Sequence, residues 1–315
     1  VENMRYGNLI IAHSPHIDAG ITTQKIMGHV IIALLPALVV SGFIFGMRAI
    51  LLTLVCIVFC ILFESLFLRV TGRQDSINDL SAVVTGMLLS FNLPSSLPFW
   101  QAIIGCFFAI VVAKQIFGGI GNNFVNPAIL GRVVLLISFP STMTSWPLPK
   151  TGFLHSDMAT GATPLYELSK GNLENLPNFS EMFIGLHGGS LGETGALAIL
   201  LGGGFLLFTR IITPQIPLVF LGTMGLVAIV FGQNPLFHIL AGGAMLGAFF
   251  MATDYTTAPL TSKGKIIFAI GCGFLTMMIR LFGAYPEGVS FAILFMNILT
   301  PHINRLTEHK VEGVA

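Results

Sequence analysis

Charge is what this sequence has least of. Asp, Glu, Lys and Arg make up 9% of its 315 residues, against 54% hydrophobic residues. So few charges cannot coat a soluble globule of this length, and the composition is that of an integral membrane protein. The net charge of +1 leaves no basic excess to gather on one face, which excludes a nucleic-acid partner. Cysteine is scarce as well. Cys56, Cys60, Cys106 and Cys272 all fall inside apolar runs and none stands in a Cys-x-x-Cys pair, so neither a disulfide framework nor an iron–sulfur cluster held by this chain alone is expected. Cys56 and Cys60 share a helix face at a spacing of four, a geometry open to metal ligation or to simple packing by small buried thiols. No Gly-x-Gly-x-x-Gly fingerprint follows a strand, so NAD chemistry is not expected here. The polar lead 1–25 is not followed by a small-residue cleavage site, and the first apolar run reads as a retained span.

What the sequence does have is long apolar runs punctuated by Gly, Pro and charge. They give ten candidate helices: 26–46, 49–68, 80–93, 99–117, 127–139, 193–212, 216–232, 235–252, 265–282 and 288–299. The third, fifth and tenth are short, reaching roughly 20 Å where the hydrocarbon core is about 30 Å thick. Such segments are half-helices or tilted spans whose backbone ends must be buried in protein or line a wet cavity. Thr85-Gly86-Met87-Leu88 is echoed by Gly243-Ala244-Met245-Leu246, and Phe117-Gly118 followed by Ala128-Ile129-Leu130 by Phe282-Gly283 followed by Ala292-Ile293-Leu294. Five spans per half would enter the second copy from the opposite side, as in inverted repeats. The expected fold is therefore all-α and polytopic, with two five-helix inverted repeats at 26–140 and 193–301. An N-terminal segment 1–25, a loop 141–192 and a tail 302–315 complete it.

Orientation follows from Lys and Arg. With a cytoplasmic N-terminus, that side collects ten of them: Arg5, Lys25, Arg69, Arg73, Lys114, Arg210, Lys263, Lys265, Arg305 and Lys310. The other side receives Arg48, Lys150, Lys170 and Arg280, with Arg132 inside its span. The asymmetry predicts cytoplasmic termini and an extracytoplasmic 141–192 loop.

That loop reads Asp157-Met158-Ala159-Thr160-Gly161-Ala162-Thr163-Pro164. Thr163 offers a hydroxyl, and Gly161 and Ala162 leave the backbone beside it uncovered for a bulky phosphate-bearing group. Asp157 lies close enough along the chain to help a metal or a modifying enzyme engage that hydroxyl. Alone, in an arbitrary loop, the tetrapeptide reads as a structural turn; the rest of the chain changes that reading.

Further motifs narrow the choice. Ser90-Phe91-Asn92-Leu93-Pro94, Gly118-Gly119-Ile120-Gly121-Asn122-Asn123-Phe124-Val125-Asn126-Pro127-Ala128 and Met251-Ala252-Thr253-Asp254-Tyr255-Thr256-Thr257-Ala258-Pro259-Leu260, together with 157–163, carry a resemblance over essentially the whole chain. They resemble the membrane-subunit family that holds the D subunit of the Rnf ion-translocating ferredoxin:NAD oxidoreductase and the B subunit of the sodium-translocating NADH:quinone reductase. The short lead 1–25 is nearer the Rnf member. The resemblance implies that Thr163, the last residue of a Ser/Thr-Gly-Ala-Thr pattern with Thr160 in its first place, carries FMN as a phosphoester made by a flavin transferase from FAD. It also implies partner subunits that hold the iron–sulfur clusters, a second flavin and the NAD site, a place in a bacterial or archaeal cytoplasmic membrane, and no activity of the chain alone. A covalent tether would keep the flavin from being lost by dilution in an exposed loop.

Other residues carry two readings. Asn122, Asn123 and Asn126 either hydrogen-bond a flavin ring edge, or help pass a cation through their carbonyl oxygens, or satisfy irregular backbone at depth; a second, noncovalent flavin such as riboflavin within the membrane is left open by the sequence. Asp254, among hydroxyls, is either a hard-cation ligand or an ordinary loop cap. Glu64, Arg132, His238 and Arg280 lie in or near spans, where charge is costly and faces a cavity or partner; Arg280, near a span end, could instead snorkel. The rival function is a stand-alone permease or channel, which inverted repeats and an Asn-Pro-Ala turn would serve as well.

Overall fold

A computed structural model describes residues 5–6, 9–10, 22–73, 76–149, 152, 160–172, 174, 176–283 and 287–308. Among them the architecture is that of an all-α membrane protein. After a two-residue antiparallel pair, β1 (Arg5–Tyr6) with β2 (Leu9–Ile10), two long helices follow. These are α1 (Thr23–Phe45), capped by the Thr22 side chain, and α2 (Met47–Thr71), ended by Gly72 in the left-handed region. Helix α3 (Ser81–Phe91) is short, and α4 (Phe99–Phe107) runs on as a π-helical segment, Phe108–Gln115. Helix α5 (Pro127–Ser138) begins with proline at its first position under an Asn126 cap, where a missing N–H costs nothing. The connection to the second half contains α6 (Pro140–Met143), a strand pair β3 (Trp146–Pro147) with β4 (Thr160–Gly161), α7 (Pro164–Ser169) and α8 (Phe179–Ile184).

The second half holds α9 (Ala196–Phe208), α10 (Gln215–Val230), α11 (Pro235–Leu240), α12 (Ala244–Leu246) passing into a π segment Gly247–Met251, α13 (Ser262–Phe282) and α14 (Val289–Thr307). Among the described residues, α1, α2 and α13 are long and apolar enough to cross a membrane by length and composition. Large apolar side chains such as Phe208, Val230, Val70, Ile137 and Phe282 stand exposed on the outer faces, as a lipid-facing surface requires.

Two expectations about the spans need correction. The tenth run is not short: α14 has 19 residues and continues through Pro301. Proline inside a helix is tolerated at depth where neighbours satisfy the freed carbonyl, and Pro36 sits inside α1 in the same way. The run that is broken is the eighth. Gly242 and Gly243 both take positive φ, and the helix stops at Leu240 and restarts at Ala244.

The two halves pack by corresponding pairs. Helix α2 lies on α4 as α10 lies on α13, α4 on α5 as α13 on α14, and α1 on α9 and α5 on α14 join one half to the other.

Candidate functional site

Irregular backbone deep in the fold needs donors and acceptors, and the way it finds them builds the first site. After α3 the chain turns through 92–98, and Arg48 donates to the carbonyls of Ser95 (2.9 Å), Ser96 (3.1 Å) and Leu97 (3.4 Å). From the far side, the amides of Leu191 and Gly192 donate to the carbonyls of Leu93 (3.1 Å) and Phe91 (2.8 Å). The break between α11 and α12 is treated in the same manner. Arg280 of α13 donates to the carbonyls of His238 (2.5 Å), Ala241 (2.8 Å) and Gly242 (3.3 Å). Arg280 is thus buried, only 6% exposed, and does not snorkel: orphan carbonyls at the end of α11 hold the cation inside.

Helix α7 seats on this break. Leu165 packs with Met182, Phe237 and Ala241, and a Cβ at Gly242 would overlap its side chain. Thr163 caps α7, its Oγ accepting from the amide of Tyr166 at 3.2 Å. The same hydroxyl donates to Oε1 of Glu287 at 3.5 Å. Thr163 is 1% exposed, so its hydroxyl is covered although the sequence places it in a polar loop. Gly161 does not leave open space either, because its Cα faces Leu148. Thr160 is exposed, Ala162 is half-buried, and Asp157 lies outside the described residues.

Around Thr163 and Glu287 the fold gathers Arg132 of α5, Arg280 of α13 and Glu193 of the loop before α9, all within electrostatic reach of Glu287. No contact ion pair joins these four; among the described residues that distinction belongs to Lys114 and Glu64. Burial lifts the Glu287 carboxyl to about 7, with Glu193 adding to the rise and Arg132, Arg280 and the Thr163 hydroxyl opposing it. Arg132 donates to Asn92 at 2.9 Å. Glu193 Oε1, Arg280 Nε, both His238 ring nitrogens and His187 Nε2 are buried without a partner. Neither Glu193 nor Glu287 stands out from the sequence. The signal that could have found them is a carboxylate at the edge of an apolar run, 193–212 and 288–299, where charge is expensive.

A second site is a cavity at the N-terminal turn of α5, walled by Val30, Leu88 and Phe250 and edged by Lys114, Asn123 and Asp254. The three asparagines divide. Asn122 is exposed. Asn126 spends its Oδ1 on the amides of Ala128 and Ile129 and its amide on the Met251 carbonyl (3.4 Å), so it is a structural cap. Asn123 is buried in the cavity wall with its Oδ1 unpartnered. Asp254 is half-buried and accepts from the amide and hydroxyl of Thr256 (3.4 and 3.1 Å) and the hydroxyl of Thr257 (3.1 Å). That is loop-cap geometry on a residue that also faces the cavity; burial pushes its carboxyl up and these bonds hold it back.

Lys114 does not belong among solvated cytoplasmic charges. It is buried in the π segment, bound to Glu64 at 2.7 and 2.9 Å and to Ser81 at 2.5 Å, with Gln115 and Ser76 completing the shell of Glu64. Cys56, Cys60 and Cys106 are buried and free, and no group of His, Cys, Asp or Glu able to hold a metal occurs among the described residues.

With this geometry in hand, comparison with known proteins is decisive. The model of the NQR2, RnfD, RnfE family matches residues 10–313. The chain belongs to that family. The D subunit of the Na(+)-translocating ferredoxin:NAD(+) oxidoreductase complex from Acetobacterium woodii is 48% identical over 310 residues, 98% of this chain and 96% of the relative. The D subunit of the proton-translocating ferredoxin:NAD(+) oxidoreductase complex from Clostridium ljungdahlii is 42% identical over 313 residues, 95% and 94%. The D subunit of an ion-translocating oxidoreductase complex from Stutzerimonas stutzeri is 41% identical over 327 residues, 93% and 92%. For this NQR2, RnfD, RnfE family member, Thr163, Glu287, Arg132, Arg280 and Glu193 meet at one site, while Asp254 and Asn123 meet at another.

Proposed function

We propose that the chain is the flavin-bearing membrane subunit of an ion-translocating ferredoxin:NAD oxidoreductase complex, with FMN esterified to Thr163. The observation that carries this reading is the placement of the Thr163 hydroxyl. It is buried against the Glu287 carboxylate, which Arg132 and Arg280 reach electrostatically, in a setting where several polar atoms lack partners. A turn residue in a permease loop needs none of these groups. A covalent phosphoester would place an anion within reach of Arg132 and Arg280, and donors and acceptors of the flavin near His187, His238 and Glu193. FMN supplies the redox centre. The chain's own residues bind, orient and bury it, and the cluster and NAD chemistry belongs to partner subunits.

Because Thr163 is covered by the seating of α7, attachment by a flavin transferase precedes that seating or requires α7 to lift. The second site, with its apolar walls and the unpartnered Asn123 oxygen, suits a second, noncovalent flavin such as riboflavin. Ten spans in two inverted repeats are supported by the corresponding helix pairs, and the Lys and Arg asymmetry supports cytoplasmic termini with the 141–192 loop outside. The setting is a bacterial or archaeal cytoplasmic membrane. The relatives are named as subunits of ferredoxin:NAD complexes, which favours that assignment over a quinone-reductase subunit.

Two measurements test it. The intact mass of the chain from its native membrane should exceed the sequence mass by one FMN phosphoester, and Thr163→Ala should remove the increment; an unmodified wild-type chain would remove the basis of the redox assignment. A cysteine at Asn172 should react with an impermeant thiol reagent from outside, and one at Ser262 only after the membrane is opened. The reverse pattern would place the flavin loop inside.

A further inference from the structure

The first site holds four formal charges that sum to zero: Arg132 and Arg280 against Glu193 and Glu287. Esterifying Thr163 upsets that balance twice over. The hydroxyl proton that Thr163 donates to Glu287 is lost, leaving acceptor facing acceptor across a 3.5 Å contact. A phosphodiester also brings one more negative charge into a pocket where Glu287 is 8% exposed and Thr163 1%. An uncompensated buried charge is costly, and of two neighbouring anions the one that can accept a proton does so.

We propose, resting on the reading that Thr163 carries FMN, that Glu287 gives up its negative charge when Thr163 is esterified. The phosphodiester then becomes the counter-charge of Arg132 and Arg280, and Glu287, protonated, donates a hydrogen bond to a phosphodiester oxygen. The chemistry balances. The bond from Thr163 Oγ to phosphorus forms as the bond from phosphorus to AMP breaks, and the hydroxyl releases one proton. One proton on Glu287 restores both the proton count and the net charge of the site.

Each neighbour bears on the exchange. Arg132 from α5 and Arg280 from α13 favour an anion, Glu193 from the loop before α9 disfavours a second one, and His238 from α11 lies behind Arg280. The cap bond from the Tyr166 amide to Thr163 Oγ survives esterification, since an ester oxygen still accepts. Glu287 is therefore the group at the site that must change. With burial already holding its carboxyl at about 7, a small added repulsion completes the change.

The test compares wild-type chain produced with and without a coexpressed flavin transferase, each form verified by intact mass, by infrared titration of protonated carboxyl. The expected result is a carboxyl band that titrates near neutrality in the unloaded chain and moves up by at least about one pH unit on loading, as a like charge requires. Glu287→Gln should abolish that band in the loaded chain. Thermal unfolding adds an independent readout: Glu287→Gln should raise the Tm of the unloaded chain above wild type at alkaline pH, yet leave the loaded chain at its wild-type value. An unchanged titration on loading, or the same Tm difference between Glu287→Gln and wild type in both forms, overturns the exchange while leaving attachment intact. No flavin mass on the wild-type chain overturns the attachment itself, and the exchange with it.

Discussion

At the scale of single residues, charges placed where the fold cannot solvate them are the most informative feature. Glu64 and Lys114 have side chains 0% and 2% exposed and carry three hydrogen-bonding neighbours between them. Lys114→Met should therefore leave an uncompensated carboxylate and destabilise by about 3–5 kcal/mol, whereas adding Glu64→Gln should recover most of the loss. Thermal unfolding in detergent checks both; equal loss in single and double variants would mean that packing, not charge, is at stake. Glu287 makes a second test. Its carboxyl is raised from 4.5 to about 7 in the folded chain, so the folded state holds a proton that the unfolded state has released. The stability this contributes is full below about pH 4.5 and is lost as pH rises through about 7. A Tm profile of the unloaded chain should fall across that window and Glu287→Gln should flatten it. The sequence marks Glu64, Arg132, His238 and Arg280 as charges in an apolar setting, and all four are buried. It does not reveal which charge meets which, because Lys114 and Glu64 are 50 positions apart and Thr163 and Glu287 are 124 apart.

At the scale of elements, apolar length is legible and irregularity is not. Helices α1, α2, α5, α10 and α13 begin and end within a few residues of the runs that announce them, because Gly, Pro and capping side chains punctuate both. Yet Gly242-Gly243 inside the eighth run does not read as a break, since glycine in a membrane helix also serves close packing. Pro301 reads as an end, whereas neighbouring helices let α14 continue through it. What decides such cases is tertiary: Arg280 answers the carbonyls freed at the break, and α7 covers the gap. Arg280→Lys keeps the charge but loses the planar fork that reaches three carbonyls at once. It should loosen the seating of α7, and limited proteolysis should cut within 160–172 faster than in the wild type. Intact Arg280→Lys protein with wild-type cleavage rates would show that a point charge suffices. Leu165→Ala, which removes the packing of α7 on Ala241 and Phe237, should raise the initial rate at which a flavin transferase modifies Thr163, measured by time-resolved mass.

At the scale of the whole molecule, α5 links the two sites: its first turn lines the cavity of Asn123 and Asp254, and its Arg132, bonded to Asn92, belongs to the site of Thr163 and Glu287. Asn297 of α14 is buried with both side-chain polar atoms unpartnered, and α14 packs on α5, where the two halves of the chain join. The inverted repeats proposed above would place a route across the membrane at such a junction. Asp254 stands at the cavity beside Asn123, half-buried and held by Thr256 and Thr257 in a cap that three hydroxyl and amide bonds already satisfy. Replacing its carboxylate by an amide keeps an acceptor for those bonds but removes the charge that a cation would meet on entering the cavity. Asp254→Asn in the reconstituted complex should therefore leave the flavin mass on Thr163 unchanged and lower ion uptake into vesicles more than it lowers electron transfer. If both fall equally, Asp254 acts through folding or through obligatory coupling, and the flavin mass tells these apart, because a misfolded chain loses its modification as well. If ion uptake is unchanged, the cap geometry is the whole of its role, and the unpartnered Asn297 becomes the next position at which to interrupt the route.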